Sequence, residues 1–389
     1  MPGERLRIAH YLPRIRMEEG GVVRAVLDMT DALADLGERV ALLTFDASDV
    51  PSEWATAERA PEVRVIEAPR AAGERFTRAQ LEATSRELAS ADVVHLHAPW
   101  TLSNRQLASA CRRRGTPYVL SVHGMLDDWS MAQRGLKKRL YLALGGRAML
   151  ERAAAVHCTA AFEEKQASKW FPRGRAVTIP LVFDVTPFAG EIDAAKAPGP
   201  PRGERPRLLF LSRLHEKKGL ERLLEAAKLL GDRGIAADVL IAGSGEPAYV
   251  ARLERLAREL GIAERTHFLG LVTGEAKAAL YASADVFVLP TSQENFGFVC
   301  PEALACGTPV VTTRGVDIWP ELEESGGALI VENAPEPIAR AVGDLLGDAD
   351  RLREMGERGR AWTHERFAGD RVAREYSALY REIAGRGTA

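Results

Sequence analysis

Residues 292 to 313, "SQENFGFVCPEALACGTPVVTT", place two glutamates, Glu294 and Glu302, around a Phe296-Gly297-Phe298 turn. A spacing of eight residues is not a whole number of helical turns, so the two acids share no helix face. Glu294 belongs to a loop, and Glu302 to the start of a helix near Pro301, because proline is favoured at the first helical position. Gly307 then closes that helix, and the next strand begins at Pro309. Free amides at a helix start attract an anion, while two nearby carboxylates repel one unless they meet something neutral and rich in hydroxyls. A carboxylate accepts two hydrogen bonds from a vicinal diol. One glutamate therefore suits a ribose and the other a hexose, on either side of a diphosphate.

A diphosphate needs cations, and a second strand end supplies them. In "LFLSRLHEKKGLERLLEA" the strand stops at Ser212, Arg213 follows, and Lys217 and Lys218 precede Gly219 and a helix. An arginine fork and a lysine point charge hold phosphates without a metal ion. A departing nucleoside diphosphate gains negative charge, so fixed cations there speed bond breaking as well as binding. In "EEGGVVRAVLDM" (18 to 29), Gly20 and Gly21 stand at a helix N-terminus, where a missing Cβ lets backbone approach a phosphate. The segment "IAGSGEPA" (241 to 248) has the outline of a dinucleotide fingerprint. Such a site needs an acid at the end of the following strand, and "THFLGLV" has none, which argues against an oxidoreductase. Its glycines, Gly243 among them, instead let a base or ribose pack near the backbone.

The elements that must position these residues are short apolar strands alternating with helical patterns, the signature of parallel sheets wrapped by helices. Six runs stand in the first half, from "LRIAHYL" (6 to 12) through "VRVIEAP" (63 to 69) to "AAVHCTA" (154 to 160), and five in the second, from "RLLFLSRL" (207 to 214) to "PVVTT" (309 to 313). Between the halves lies "EIDAAKAPGPPRGERP", rich in proline, glycine and charge. The organisation expected is a domain over 1–190, a linker over 191–206 and a second domain over 207–367. The chain closes on an amphipathic helix whose stripe is Val372, Tyr376, Leu379 and Tyr380. With 389 residues, 46% of them apolar and 27% charged, each half can bury a core. A net charge of −2 gives no reason to expect nucleic acid. Four cysteines without a CxxC pair suit a reducing cytosol. The opening "MPGERLRIAHYLP" lacks an apolar signal core and no run approaches a membrane span, so a cytoplasmic location is expected.

Taken together, these motifs resemble the retaining nucleotide-sugar glycosyltransferases of family 4. The matching pieces are the Gly20-Gly21 turn, "SVHG" with His123 and Gly124, "SRLHEKKG" with Arg213 and Lys218, "HFLG" at 267 to 270, and "ENFGFVCPEALACGTPVV" with Glu294 and Glu302. They run in order through nearly the whole chain. The resemblance implies a GT-B fold: two Rossmann-like doubly wound domains facing a central cleft, with a C-terminal helix (368–384) packing back on the first domain. It implies that Glu302 binds the ribose, that Glu294 meets the donor sugar's hydroxyls, and that the amides of Asn295, Phe296 and Gly297 meet sugar or phosphate. Arg213 and Lys218 would hold the diphosphate, His123 would lie near the donor sugar, Gly20 and Gly21 would line the phosphate side, and Phe268 and Phe298 join the donor-binding set. It implies no divalent metal or other cofactor, and front-face attack in which the departing phosphate oxygen takes the acceptor's proton. One departure is Leu181-Val182, where the family usually has Asn-Gly after the proline.

Ordinary readings stand beside these. The glutamates suit solvated helix flanks, Arg213 and Lys218 surface charge, Gly20-Gly21 a plain turn, and His123 a core histidine. His95 and His97 fall on one side of a strand, but no third metal ligand is apparent from the sequence, so acceptor contact or packing is expected there. From Trp129 to Leu150 the chain has five basic residues and no acidic one, with Leu136, Leu140 and Leu144 at four-residue spacing. A helix of that pattern either docks on an anionic membrane or faces the core with a solvated rim. The expected function is transfer of a hexose from a UDP- or GDP-sugar to a glycan or polyprenyl-linked acceptor, in envelope or exopolysaccharide assembly. The competing readings are a sugar-nucleotide 2-epimerase, which alters the sugar without an acceptor, and a sensor that binds donor without turnover.

Overall fold

The apolar runs form two parallel sheets in a computed structural model that describes residues 5–67 and 74–386. The first sheet contains β1 (Arg7–Tyr11), β2 (Arg39–Thr44), β3 (Glu62–Val65), β4 (Val93–His97), β5 (Tyr118–Ser121), β6 (Ala155–Cys158) and β7 (Ala176–Thr178), in the order β3-β2-β1-β4-β5-β6-β7. The second contains β8 (Arg207–Leu211), β9 (Asp238–Ala242), β10 (Thr266–Gly270), β11 (Val286–Leu289), β12 (Val310–Thr313) and β13 (Ala328–Val331), in the order β10-β9-β8-β11-β12-β13. Helices cover both faces, so strands such as β4, β5, β9 and β11 are buried at every residue and are mainly apolar. Strand order reverses between β1 and β4 and again between β8 and β11, and at such switch points the loops diverge and leave a crevice.

Each sheet has one strand more than the apolar runs indicate. Both extra strands, β7 and β13, lie at sheet edges, are three and four residues long, and are largely half-buried, so neither shows a sustained apolar run. The run at 63 to 69 pairs as Glu62–Val65, and its last two positions fall outside the described residues.

The chain divides into two units. One runs to Phe183 and resumes at Gly369; the other spans Asp184–Ala368. Leu181, Val182 and Phe183 are buried at the end of the first unit. The Pro/Gly-rich stretch belongs to the second, where the Arg202 guanidinium donates to the Ser283 carbonyl at 2.9 Å and the Arg207 guanidinium to the Pro200 carbonyl at 2.6 Å. The C-terminal helix Gly369–Arg386 packs in the first unit with Val372, Tyr376, Leu379 and Tyr380 buried. Its Ser377 hydroxyl donates to buried Glu38 at 2.7 Å, and Glu38 also accepts from the Leu6 amide at 2.7 Å.

The stretch from Trp129 to Leu150 is not one helix. It breaks into helices Asp128–Ala132, Gly135–Tyr141 and Arg147–Glu151, because Arg134 (φ 53°) and Gly145 (φ 117°) adopt left-handed backbone. Nor do the three spaced leucines face the core: Leu136, Leu140 and Leu144 are 84%, 57% and 63% exposed, while Leu142 and Leu150 are buried. Tyr141 turns inward, its hydroxyl donating to the Pro99 and Thr101 carbonyls at 2.9 Å each.

Candidate functional site

The crevice between β8 and β11 gathers most of the chemistry of the second unit. After β8 the chain passes Arg213 and a short 3-10 turn, Glu216–Lys218, and reverses at Gly219 into the helix Leu220–Asp232. Gly219 has φ 75°, and a Cβ there would lie 2.0 Å from the Pro290 carbonyl, so only glycine lets the turn meet the loop after β11. The two loops are laced together. The Lys217 carbonyl accepts from the Ser292 amide (2.7 Å) and the Thr291 hydroxyl (3.1 Å), and Arg222 donates to the Pro290 carbonyl at 2.9 Å.

Lys218 is buried, and its ammonium contacts the Glu294 carboxylate directly. Burial, reinforced by repulsion from Lys217 and Arg213, pulls its pKa down to about 7. The carboxylate against it works the other way and favours the charged amine. Arg213, by contrast, is exposed and has no ion-pair partner among the described residues. Glu294 is held by a bridge to Val316: its amide donates to the Gly315 carbonyl at 2.7 Å and its carbonyl accepts from Asp317 at 2.9 Å. The Asn295 side chain donates to Asp317 at 3.2 Å. Phe296 is buried between Phe298 (ring centroids 5.0 Å) and Phe367 (5.7 Å, edge-on), which anchors the turn so that Gly297 (φ 63°) can reverse the chain. Helix Val299–Ala305 then starts two residues earlier than the proline signal implies. Pro301 is tolerated at the third position because amides of the first turn have no helical partner to lose.

Glu302 is only 1% exposed, with Lys277 donating to one carboxylate oxygen at 2.8 Å and the Tyr281 hydroxyl to the other at 2.9 Å. Lys277 keeps 20% of its side chain exposed and is the open member of this trio. Burial and the Glu302 charge push the Tyr281 hydroxyl up, so it stays a donor. Cys300 lies within electrostatic reach of both Lys218 and Glu302, and burial pushes its thiol up to about 12, far from a reactive thiolate. Gly243 (φ 136°) follows β9, where a Cβ would lie 1.9 Å from the Ser212 carbonyl; strand packing alone therefore requires glycine. Phe268 is half-buried on the edge strand β10.

The first unit has a different set at its own switch point. Gly20 (φ 97°, ψ −154°) caps the helix Gly21–Asp35 after β1, and Gly21 faces open space. His10 on β1, His95 and His97 on β4, and His157 on β6 are fully buried, and His123 after β5 is 6% exposed. His10 Nδ1 lies 3.1 Å from His97 Nε2, and His97 Nδ1 lies 3.1 Å from His123 Nε2. His95 bonds the Tyr380 hydroxyl (2.6 Å) and Ser121 Oγ (2.7 Å); Ser121 in turn meets His157 Nδ1 at 2.6 Å. Burial lowers the pKa of His10 and His123 to about 3 and of His157 to about 4, and His95 and His97 fall well below the ordinary range. All five rings are neutral. Ala98 (φ 64°) and His123 (φ 49°) take left-handed backbone that side chains disfavour. Asn104 steadies the first by donating to the His97 carbonyl at 2.8 Å and to that of Ala98. Glu163, buried on the helix Ala161–Ala167, steadies the second by accepting from the Gly124 amide.

Two family models match the chain: a glycosyl transferase 4-like domain over residues 20–181 and glycosyl transferases group 1 over residues 191–362. The GDP-mannose-dependent alpha-(1-6)-phosphatidylinositol monomannoside mannosyltransferase of Mycolicibacterium smegmatis is 33% identical, over 66% of this chain and 68% of its own. The chain is a family 4 glycosyltransferase of the GT-B fold. The D-inositol 3-phosphate glycosyltransferase of Nocardia farcinica is 30% identical to this glycosyltransferase, over 80% of this chain and 72% of its own. The crystal structure of Anabaena HepE in complex with UDP and glucose shares the fold at TM-score 0.76 and 17% identity, covering 97% of this chain and 100% of that one.

Several residues around the two candidate switch points escape sequence reasoning. Lys277 and Tyr281 sit on the helix Gly274–Ala282, and Glu163 on another helix, with only their spacing of about one turn as a local sign. His10 supplies the third histidine that the His95-His97 pair lacked: one ring nitrogen from each lies within 4.8 Å of the others. Both nitrogens of His95 and of His97 already have hydrogen-bond partners in the chain, so the cluster reads as a polar core network. The signal for His10 was its place in "LRIAHYL", where β1 pairs His10 with His95 in register.

Proposed function

We propose that this glycosyltransferase moves a hexose from a GDP- or UDP-sugar to a hydroxyl of a glycan or lipid-linked glycan, with retention of configuration and without a metal ion or other cofactor. The observation that carries the proposal is exposed Arg213, without an ion-pair partner among the described residues, beside the Lys218–Glu294 pair at the crevice between β8 and β11. Arg213 and Lys218 take up the charge of the departing diphosphate. Glu294 accepts from hydroxyls of the transferred sugar, with the amides of Asn295, Phe296 and Gly297 beside it. Glu302 accepts from the ribose, and Gly243, Phe268 and Phe298 flank the nucleoside. In the first unit, His123 is assigned to a sugar oxygen and the Gly20-Gly21 backbone to the phosphate side. The leaving phosphate oxygen removes the acceptor's proton, so no protein nucleophile is assigned. GDP-mannose is the first donor to test, since the Mycolicibacterium smegmatis relative is named for it, and UDP-glucose the second, after the ligands of HepE.

The test is a donor panel scored for GDP or UDP release, with and without EDTA, run beside Arg213→Ala and Glu302→Ala. Turnover that survives EDTA, retains the anomeric configuration in the product's one-bond C1–H1 coupling, and is lost in both variants fits the proposal. Wild-type rates in either variant remove the assigned role. A changed sugar without acceptor would identify an epimerase instead.

The exposed leucines extend the reading to a membrane. Leu136, Leu140 and Leu144 project from a stretch that also carries Arg134, Lys137, Lys138, Arg139 and Arg147 and no acid. Apolar side chains with a basic surround suit an anionic bilayer, each cation near its surface adding about 1 kcal/mol. We assign this surface to the inner face of the plasma membrane and the acceptor to a polyprenyl-linked sugar in envelope or exopolysaccharide assembly. Among the described residues no helix is long and apolar enough to cross a membrane. The protein should sediment with anionic but not neutral vesicles, and reversing charge at Lys137, Lys138 and Arg139 should abolish it; binding to neither vesicle removes the assignment.

A further inference from the structure

The row His10–His97–His123 has a direction that follows from counting protons. Each neutral imidazole carries one N–H, and each of the two N···N contacts holds one proton. Only two arrangements satisfy both contacts. In one, His123 Nε2–H donates to His97, His97 Nε2–H donates to His10, and the proton of His10 rests on Nε2. In the other, His10 Nδ1–H donates to His97 Nε2, His97 Nδ1–H donates to His123 Nε2, and the proton of His123 rests on Nδ1.

The far end of the row decides between them. His10 Nε2 is buried and has no hydrogen-bond partner among the described residues. The first arrangement leaves an orphaned N–H there, and the second only an unused lone pair. Buried N–H groups without acceptors are rarer and costlier than acceptors left unused. No outside group competes for the middle ring, because the neighbouring His95, stacked at 4.3 Å, is engaged with Tyr380 and Ser121. The near end is the open one: His123 alone of the three retains any exposure, its backbone is held left-handed at φ 49°, and Glu163 fixes the following amide.

We propose that His10 and His97 are positioning residues that lock His123 in its Nδ1–H tautomer, so that His123 offers a fixed hydrogen-bond donor to a sugar oxygen. This rests on the assignment of His123 to a sugar, and the sugar is either that of the donor or that of the acceptor. The lock also prevents the ring from flipping, since a flip would break the bond to His97. A free histidine favours the opposite tautomer, Nε2–H, so the proposal is not the default outcome.

The tautomer is read directly from two-bond 1H–15N correlation spectra of histidine-labelled protein, the eight histidines being assigned by single substitutions. The wild type should show His123 protonated on Nδ1. His97→Leu should return His123 to the Nε2–H form or a mixture and raise one KM by about fivefold, the loss of a single hydrogen bond. The substrate whose KM responds is the one whose oxygen His123 meets. His97→Asn, whose amide N–H stands near the former Nδ1, should restore both the tautomer and the KM, which a merely structural role would not predict. An Nε2–H signal in the wild type, or a Nδ1–H signal that persists in His97→Leu, overturns the lock. His123→Ala with wild-type kinetics for both substrates would instead remove the sugar assignment, while the spectra still judge the lock.

Discussion

The two switch points are built from opposite materials. Beside β8 and β11, polar side chains meet as charges: Lys218 with Glu294, Lys277 with Glu302, and Arg213 with no ion-pair partner among the described residues. Beside β1 and β4, they meet as neutral rings and hydroxyls, five histidines with Ser121, Tyr376 and Tyr380. Charges in contact can exchange a protein partner for an anionic ligand and so respond to it electrostatically. Neutral rings cannot do this, but a row of them fixes which atom donates and which accepts. The second unit is thus suited to taking up charge and the first to orienting hydroxyls.

The sharpest way to break this contrast is to remove the two cations separately. Arg213→Ala deletes an exposed, unpaired group, so kcat/KM should fall by about 10²-fold or more while Tm stays put. Lys218→Ala deletes a buried group and leaves Glu294 without its partner, so activity should fall by at least as much and Tm should fall with it. Kinetics and thermal unfolding on the same preparations decide the matter. If the Arg213 variant unfolds early, or the Lys218 variant keeps its Tm, the distinction between a free and a paired cation is wrong.

A smaller effect concerns pH. Lys218 is pulled down to about 7 in the ligand-free protein, where Glu294, Lys217, Arg213 and Cys300 surround it. A bound diphosphate favours the charged amine, so binding above pH 7 must take up a proton. Affinity for GDP or UDP should therefore fall by up to about tenfold per pH unit above 7, and Lys218→Arg should flatten the slope. Calorimetry in two buffers of different ionisation enthalpy measures the proton directly. Stability moves the other way: between pH 7 and the ordinary lysine value the unfolded chain holds more protons than the folded one, so this group's contribution to stability rises with pH. A flat affinity profile in the wild type would show that Lys218 stays charged throughout.

Much of the fold was legible because buried parallel strands need continuous apolar runs, and such runs survive inspection of a single sequence. β7 and β13 were not legible, since a short edge strand needs no such run. Within the candidate site, Glu294, Glu302, Arg213 and Lys218 stood out because they are charged residues in the loops and short helical segments that follow apolar strands. Their partners did not. Lys277, Tyr281 and Glu163 acquire meaning only through tertiary contact, and nothing local beyond a one-turn spacing separates them from an ordinary helix residue. The leucines at 136, 140 and 144 show the converse: a helical stripe was visible, but its burial was not, because the spacing of a docking face and of a core face is the same.

The smallest expected effect tests whether a buried acid in the first unit works on structure alone. Glu163 is fully buried, accepts from the Gly124 amide through one oxygen, and accepts from the Thr159 amide and hydroxyl through the other, the hydroxyl at 2.8 Å. Glu163→Gln keeps the shape but replaces one accepting oxygen with an NH2 that faces N–H or O–H groups. The change removes charge-assisted bonds of about 1.5–3 kcal/mol, so stability should drop by roughly 2 kcal/mol. Because His123 is also tied to His97, its ring should hold its place, and kcat/KM well below Tm should fall only a few-fold. Denaturant unfolding and steady-state kinetics separate the two quantities. Full loss of activity at unchanged stability would mean that the first unit, like the second, uses a charge in the reaction, and the contrast between the two switch points would not survive.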